Sequence, residues 1–365
     1  MNNFTHQLRS CDHRLLFIPL LLSLSGIAGL ASITSSSGTF LSREVLIQSA
    51  ALVCGIAAAF VILDLGYRYF ISLEKPLYAA SLALLLSVYI PGLGITVSGS
   101  RAWIDAGIIT VQPSEIVKIL FIILMASFLS RSTSSLNSVS GISKAVFYSL
   151  PFIVIVSKED FGSGCVFCVI WLFMVFCSGL ELRIIGRLVL ALVAVMPLFY
   201  FFLAGYQKDR IDAFFSPDDL DLPGTYQVWN SRIAIGSGGF LGKGYMHGTH
   251  TSLGFLPVPD SDFIFSAITE ETGFIGGLII ILLFAGFIYC ALSVTRYASD
   301  LQGTLTGAGL VGMFSFQAFE NIGMTMGIMP VTGIPLPFLS CGGTAMVSSM
   351  MGAGLLLSIS CSQKI

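Results

Sequence analysis

Ten stretches of mostly apolar residues, each close to the length a helix needs to cross a lipid bilayer, follow one another along the 365-residue chain. A hydrocarbon core about 30 Å thick takes about 20 residues of helix, and inside it every backbone N–H and C=O must find a partner within the protein. The chain is therefore expected to be an all-α integral membrane protein of about ten transmembrane helices. They are placed over 15–34, 45–63, 76–90, 113–130, 145–157, 162–180, 184–206, 262–292, 303–327 and 344–360. One long external loop, about 207–261, falls between the seventh and eighth. Without an internal repeat, a coiled coil or a low-complexity linker, residues 1–365 should form a single domain.

Composition supports the same class: 55% of residues are hydrophobic, 10% are charged and 29 are Phe, unlike a soluble domain. The formal charge of -2 comes with no basic stripe that could neutralise phosphates along a duplex, so a nucleic-acid partner is not expected. Gly29-Leu-Ala31 imitates a signal-peptide cleavage site, but the apolar stretch is long and more spans follow, so an uncleaved first helix is expected. With the N-terminus inside, Arg9, Arg14, Arg68, Lys75, Arg131, Lys144, Arg183, Arg187, Arg296 and Lys364 fall on the cytoplasmic side. The short loops opposite hold only Arg43, Arg101 and Lys158, which places both termini in the cytoplasm. The eight cysteines are scattered: Cys54, Cys165, Cys168, Cys177, Cys290 and Cys361 lie in or beside apolar runs, where a free thiol packs as a small hydrophobe. Cys165-x-x-Cys168 has redox spacing but no second pair or His partner, and is expected to pack in the core.

Function should lie where polarity is hard to explain as solvation. Asp262, in Leu256-Pro-Val-Pro-Asp-Ser-Asp-Phe-Ile-Phe265, stands where the long loop re-enters the membrane. An ionisable residue at that depth is costly unless it is used. Upstream, Gln112-Pro-Ser-Glu-Ile-Val-Lys118 opens a helix, and Glu115 and Lys118, three apart, share a face. They form either a structural ion pair or a pair that orients a loop over a substrate. Arg101 and Trp103 precede them, and Trp103 also suits an interfacial anchor. Asp160, in Lys158-Glu-Asp-Phe-Gly162, could hold a cation or cap the next helix.

In the long loop, Gly236-Ser-Gly-Gly-Phe-Leu-Gly-Lys-Gly244 exposes amides beside Lys243, as an anion site does. Arg210, Arg232 and Lys243 are expected on the face that meets a charged headgroup. His247 and His250 lack further ligands for zinc and are expected at the surface. Glu320 and Asn321 are polar groups within a span, followed by the proline-broken run Gly333-Ile-Pro-Leu-Pro-Phe338. Irregular backbone at membrane depth lines a cavity or is buried in protein, and a cavity opening outward near Asp262 is the inference.

The ordered set Gln112-Pro-Ser-Glu115, Asp160-Phe-Gly162, Ile233-Ala-Ile-Gly-Ser-Gly-Gly239, Gly242-Lys-Gly244, Asp262-Phe-Ile-Phe265, Glu270-Glu-Thr-Gly-Phe274 and Gly333-Ile-Pro-Leu-Pro-Phe338 resembles the SEDS family (shape, elongation, division and sporulation). It covers the chain from about Gly99 to Gly343. Gly248-Thr249 and Glu320-Asn-Ile-Gly-Met-Thr325 are more similar to the elongation member than to the division member. The resemblance implies a ten-helix inner-membrane peptidoglycan glycosyltransferase that polymerises lipid II, alongside a class B penicillin-binding protein and other elongation-complex membrane proteins. It also implies an essential carboxylate at Asp262, in the family's His-Thr-Asp-Phe pattern. Asp260-Ser261 replaces His-Thr here, so the base could be a coupled pair. Asp160, Glu115 and Lys118 match further family positions, and Ser340-Cys341-Gly342-Gly343 replaces Ser-Tyr-Gly-Gly.

The expected chemistry is attack of a glycan hydroxyl on a sugar carbon whose leaving group is a lipid pyrophosphate. Asp262 acts as general base; Arg210, Lys243, Arg101 or a divalent cation (Mg or Mn) offsets charge on the leaving group. Candidate cation ligands are Asp160, Asp260 and Asp262; Glu115, Lys118, Trp103, Glu320 and Ser340 complete the candidate substrate site. A lipid flippase and a non-catalytic wall scaffold are the readings from other classes. The first predicts translocation without glycan product, and the second predicts function without Asp262.

Overall fold

The computed structural model describes residues 11–35, 42–97, 99–105, 107, 109–132, 136–202 and 205–362. Arg9 and Lys364, used above for orientation, lie outside them. The long helices are α1 (Arg14–Ser35), α2 (Arg43–Leu65), α4 (Glu74–Leu86), α5 (Pro113–Ser132), α6 (Val139–Glu159), α7 (Phe161–Cys177), α8 (Leu182–Phe202), α12 (Ile264–Arg296), α13 (Leu301–Met326) and α14 (Gly343–Ser362). Each expected span overlaps one of them. Six (α1, α2, α5, α6, α12 and α14) are long and apolar enough by themselves to cross a membrane among the described residues. A short α3 (Tyr67–Ser72) joins α2 to α4.

The external layer is more ordered than its sequence suggested. The loop 207–261 contains α9 (Gly205–Phe215), α10 (Pro223–Ser237) and the single turn α11 (Thr249–Ser252). Between α4 and α5 lies a small antiparallel sheet, an exception to the all-α expectation: β1 (Gly94–Val97), β2 (Ser100–Asp105) and β3 (Thr110–Val111). Trp103 pairs with Ile95 across it.

At 33 residues, α12 is about 50 Å long at 1.5 Å per residue, more than a bilayer core requires. It is broken at Gly273 (φ 69°, ψ -167°), a conformation open only to glycine at low cost. The break frees the Glu270 and Glu271 carbonyls, which accept from Lys243 and Gly244 N–H (3.1 and 3.0 Å), while Phe274 N–H donates to Gly239 O (2.9 Å). The glycine run therefore stitches the loop to the broken helix. A methyl on Gly242 would come within 2.0 Å of the Glu271 carbonyl oxygen.

α2 and α14 pack most intimately. A Cβ at Gly354 would meet the Ala59 backbone at 2.6 Å, and one at Gly55 the Met350 side chain at 2.8 Å; small residues let such helices approach in lipid. The main core continues through the Phe287, Phe314 and Phe338 rings, 5.0 to 5.4 Å apart. Cys361 departs from its expected role: it is bonded to Cys11, which joins the start of α1 to the end of α14. Cys165 and Cys168 remain free thiols.

Candidate active site

Three segments that the sequence keeps apart converge above the bundle: the loop before α12, the irregular stretch between α13 and α14, and the α6–α7 junction. Asn321 on α13 holds the first two together, its Nδ2 donating to Asp262 O (3.1 Å) and Ile334 O (2.8 Å). Ser340 adds a second clamp: its hydroxyl donates to Ser261 O (2.6 Å) and accepts from Leu336 N–H (2.8 Å). Cys341 N–H donates to Asp260 O (2.9 Å). Gln48 of α2 then fastens the clamp, donating to Ser340 O (2.9 Å) and accepting from Gly342 N–H (3.0 Å). Every bond is to backbone, so the Asp262 side chain is aimed by a framework in which its Oδ2 makes no hydrogen bond among the described residues.

Asp262 Oδ1 accepts from the Ser261 hydroxyl (3.0 Å). Gly333, at φ 76°, has no side chain where one would fill the space between Asp262 and Arg210. A Cβ there would lie 3.4 Å from Asp262 Oδ2 and 3.1 Å from Arg210 Nη1. Arg210 is set by donating to Thr332 O (2.6 Å), and the Thr332 hydroxyl donates to Glu320. The other Glu320 oxygen is buried without a partner, as expected of a group facing a site where a polar ligand belongs. Burial pushes the Asp262 carboxyl above the ordinary aspartate range; the Ser261 hydrogen bond and Arg210 oppose this, and the Asp260 and Asp160 charges reinforce it.

Asp160 caps α7, as the simpler of its two expected roles requires: Oδ1 accepts from Ser163 N–H (3.2 Å) and Oδ2 from the Ser163 hydroxyl (2.6 Å). A Cβ at Gly162 would touch Thr332 at 3.0 Å, so this cap lies against the stretch that holds Arg210. Gln112 bridges onward to Asp160 Oδ2 at 3.5 Å. One turn into α5, Lys118 Nζ and Glu115 Oε1 are 2.7 Å apart with side chains only 1% and 3% exposed. Ser348 of α14 donates to Glu115 Oε2 (3.2 Å). Arg101 stands on β2, its backbone N–H donating to Glu159 Oε2 (3.2 Å).

Arg210 also lines a cavity of about 50 Å³ with Trp229 and Arg232. Lys243 is not part of this gathering. Its Nζ donates to Glu270 Oε1 (2.7 Å) and Thr249 (2.6 Å). Glu270, wholly buried, also accepts from His250 N–H (2.8 Å) and Thr251 N–H (3.2 Å). The expected anion nest acts here as a loop anchor: its Gly242, Lys243 and Gly244 amides and its lysine already have partners within the protein. Lys243→Met should lower stability by about 1–3 kcal/mol through the charge it strands and speed proteolysis in 240–255, with substrate KM unchanged. A raised KM with an intact loop would return Lys243 to the substrate.

Among the described residues no group of three His, Cys, Asp or Glu side chains is arranged to hold a metal ion. Asp160, Asp260 and Asp262 therefore do not form a closed cage. A Mg²⁺-type ion bound by one or two carboxylates would need the substrate's phosphate oxygens to complete it. Gln48 and Thr332 are site residues that the sequence did not single out, whereas Asn321 was expected as a polar group within a span but without its two partners. The signal for Gln48 was legible, as an amide inside the apolar run of α2; its partner was not.

The fold and site together define a polytopic membrane protein with a carboxylate and a neighbouring arginine at one end of its helices. The family model described as "Cell cycle protein", for FtsW, RodA and SpoVE, matches residues 12–365, and the chain belongs to that family. It is 36% identical to the peptidoglycan glycosyltransferase MrdB of Escherichia coli (strain K12) over 291 residues, covering 79% of this chain and 78% of that one. The peptidoglycan glycosyltransferase RodA of Treponema pallidum (strain Nichols) is 31% identical, with 96% and 98% covered. A solved chain described under "Structural coordination of polymerization and crosslinking by a peptidoglycan synthase complex" superposes with a TM-score of 0.80 at 26% identity, over 97% of this chain and 98% of that one.

Proposed function

We propose that the protein is a membrane-embedded peptidoglycan glycosyltransferase that polymerises lipid II, with Asp262 as the base. The observation that supports the assignment is Asp262 itself, held through backbone bonds, with an oxygen that makes no hydrogen bond among the described residues and lies with Arg210 around Gly333. The acceptor sugar hydroxyl gives its proton to the Asp262 carboxylate as its oxygen bonds to the anomeric carbon of the donor. The bond from that carbon to the lipid pyrophosphate breaks, and the electron pair leaves with the phosphate oxygen. Arg210, with Arg232 beyond it, offsets the developing charge. Attack from the side opposite the leaving group inverts the anomeric centre.

The partner proposed is a class B penicillin-binding protein, which fits the similarity to a chain solved within a synthase complex. Both termini are proposed to face the cytoplasm, which the excess of basic residues on that side supports. A role in elongation rather than division is supported by the MrdB and RodA relatives. Purified protein with lipid-linked disaccharide should yield polymer. Translocated lipid without polymer would replace this function with that of a flippase.

The raised value of Asp262 fixes the sign of the pH response. A base must be ionised, so kcat/KM should climb with pH through a value above the ordinary aspartate range. An acid whose folded value exceeds its unfolded value stabilises the fold when protonated. That stability declines as pH rises from the unfolded value through the folded one. Activity should therefore rise across the window in which the Asp262 contribution to stability is lost, read as the difference in melting temperature between the parent and Asp262→Asn; a difference that does not change with pH there would exclude Asp262 as the titrating group.

A further inference from the structure

At the end of the bundle that holds the Cys11–Cys361 bond, away from Asp262, lies a cavity of about 450 Å³. It opens where α2 and α5 end and α4 and α13 begin. Tyr67 N–H donates to the Ser358 hydroxyl there (3.0 Å), near the Cys11–Cys361 bond. Arg68, Lys75 and Arg131 line it with Ser72, Ser127 and Gln302.

Glu74 and Asp300, beside the arginines, are already engaged. Glu74 accepts from Ser127 (2.7 Å), Tyr148 (3.1 Å) and Arg131. Asp300 caps α13 through Gly303 N–H (2.7 Å) and accepts from the Tyr67 hydroxyl (3.0 Å) and Arg68 Nε (2.8 Å). Arg68 and Arg131 nevertheless keep 60% and 62% of their side chains exposed. Lys75 makes no hydrogen bond or ion pair among the described residues. Three cations thus border one cavity, and the only acid lining it points its oxygens at protein donors.

We propose that this cavity binds the phosphate headgroup of an anionic phospholipid. Guanidinium and ammonium groups supply the charge-assisted hydrogen bonds a phosphate accepts, and basic pockets between helices at a membrane surface suit such headgroups. Its level at the helix ends is headgroup depth. Leu65 and Tyr69 beside it are exposed apolar surface on which acyl chains can lie. The site requires neither Asp262 nor any substrate.

The test is lipid retention by the purified full-length protein, read by native mass spectrometry with phosphatidylglycerol and, separately, phosphatidylcholine. From the energy of one basic charge beside an anionic lipid, Lys75→Gln should weaken phosphatidylglycerol binding roughly fivefold and Lys75→Glu about thirtyfold. Phosphatidylcholine retention and thermal unfolding should not change. Lys144, exposed near the same end of the bundle, controls for general surface attraction, and Lys144→Glu should have no effect. Equal losses at Lys75 and Lys144, or none at Lys75, would overturn the site. Displacement of the lipid by millimolar inorganic phosphate would overturn its assignment to lipid.

Discussion

Asp262→Asn should make no detectable glycan polymer, a loss of at least 10²–10⁴-fold, the range contributed by a positioned general base. It should also unfold at a temperature no lower than the parent protein. The amide fits the same space and its oxygen can still accept from Ser261, which now donates at 3.0 Å. It cannot take a proton from the attacking hydroxyl. It also removes a carboxylate that burial penalises, so stability at neutral pH should hold or rise. Each half can fail alone. Polymer from the Asn variant would end the base assignment, whereas an inactive and unfolded variant would make Asp262 structural. Asp260→Asn measures the coupled-pair alternative: if the acid limb of the pH profile shifts downward without loss of the maximal rate, Asp260 tunes Asp262 and does not share its task.

The second large effect is at Lys118, where Lys118→Met should destabilise the protein by about 3–5 kcal/mol, the cost of stranding a buried partner charge. Glu115 would keep only the Ser348 hydroxyl, in a place where its side chain is 3% exposed. Removing both charges as Glu115→Leu with Lys118→Met should recover most of the loss, because well-packed apolar replacements of buried pairs are often neutral. Polymerisation then separates the two roles left open by the sequence. A stable and active double variant makes the pair structural. A stable but inactive one means that the pair positions the loop at Gln112, which reaches Asp160.

What could be read in advance followed the solvent. Lipid imposes a single demand along each span, so the helix positions were legible, and a lone carboxylate at a re-entry point was conspicuous. Relations between distant segments were not. Gly236–Gly244 looked like an anion nest because glycine amides beside a lysine are the common ingredients of one. Nothing local indicated that Gly273 would break α12 and consume those amides, or that Glu270 would take the lysine. Likewise Cys361 looks like an ordinary apolar thiol and Cys11 stands in a polar stretch far away in sequence, and only the folded bundle brings them within 4.7 Å between Cα atoms. The sheet at 94–111 escaped because its strands are short and sit in a Gly-rich connection. Asn321 and Gln48 carried half a signal each: buried amides inside apolar runs announce a bond but not its partner.

The intimate packing of α2 against α14 sets an order on biosynthesis. The ribosome delivers α2 well before α14, and domains generally begin to fold from the N-terminal side as they emerge. Until residues 340–354 arrive, Gln48 has no Ser340 to hold and the grooves at Gly55 and Ala59 face lipid. The framework that aims Asp262 can therefore close only after translation has passed Ser340 and delivered α14. A nascent or truncated copy lacking α14 would sit in the membrane with its carboxylate unaligned, a fail-safe against premature activity that needs no separate inhibitor.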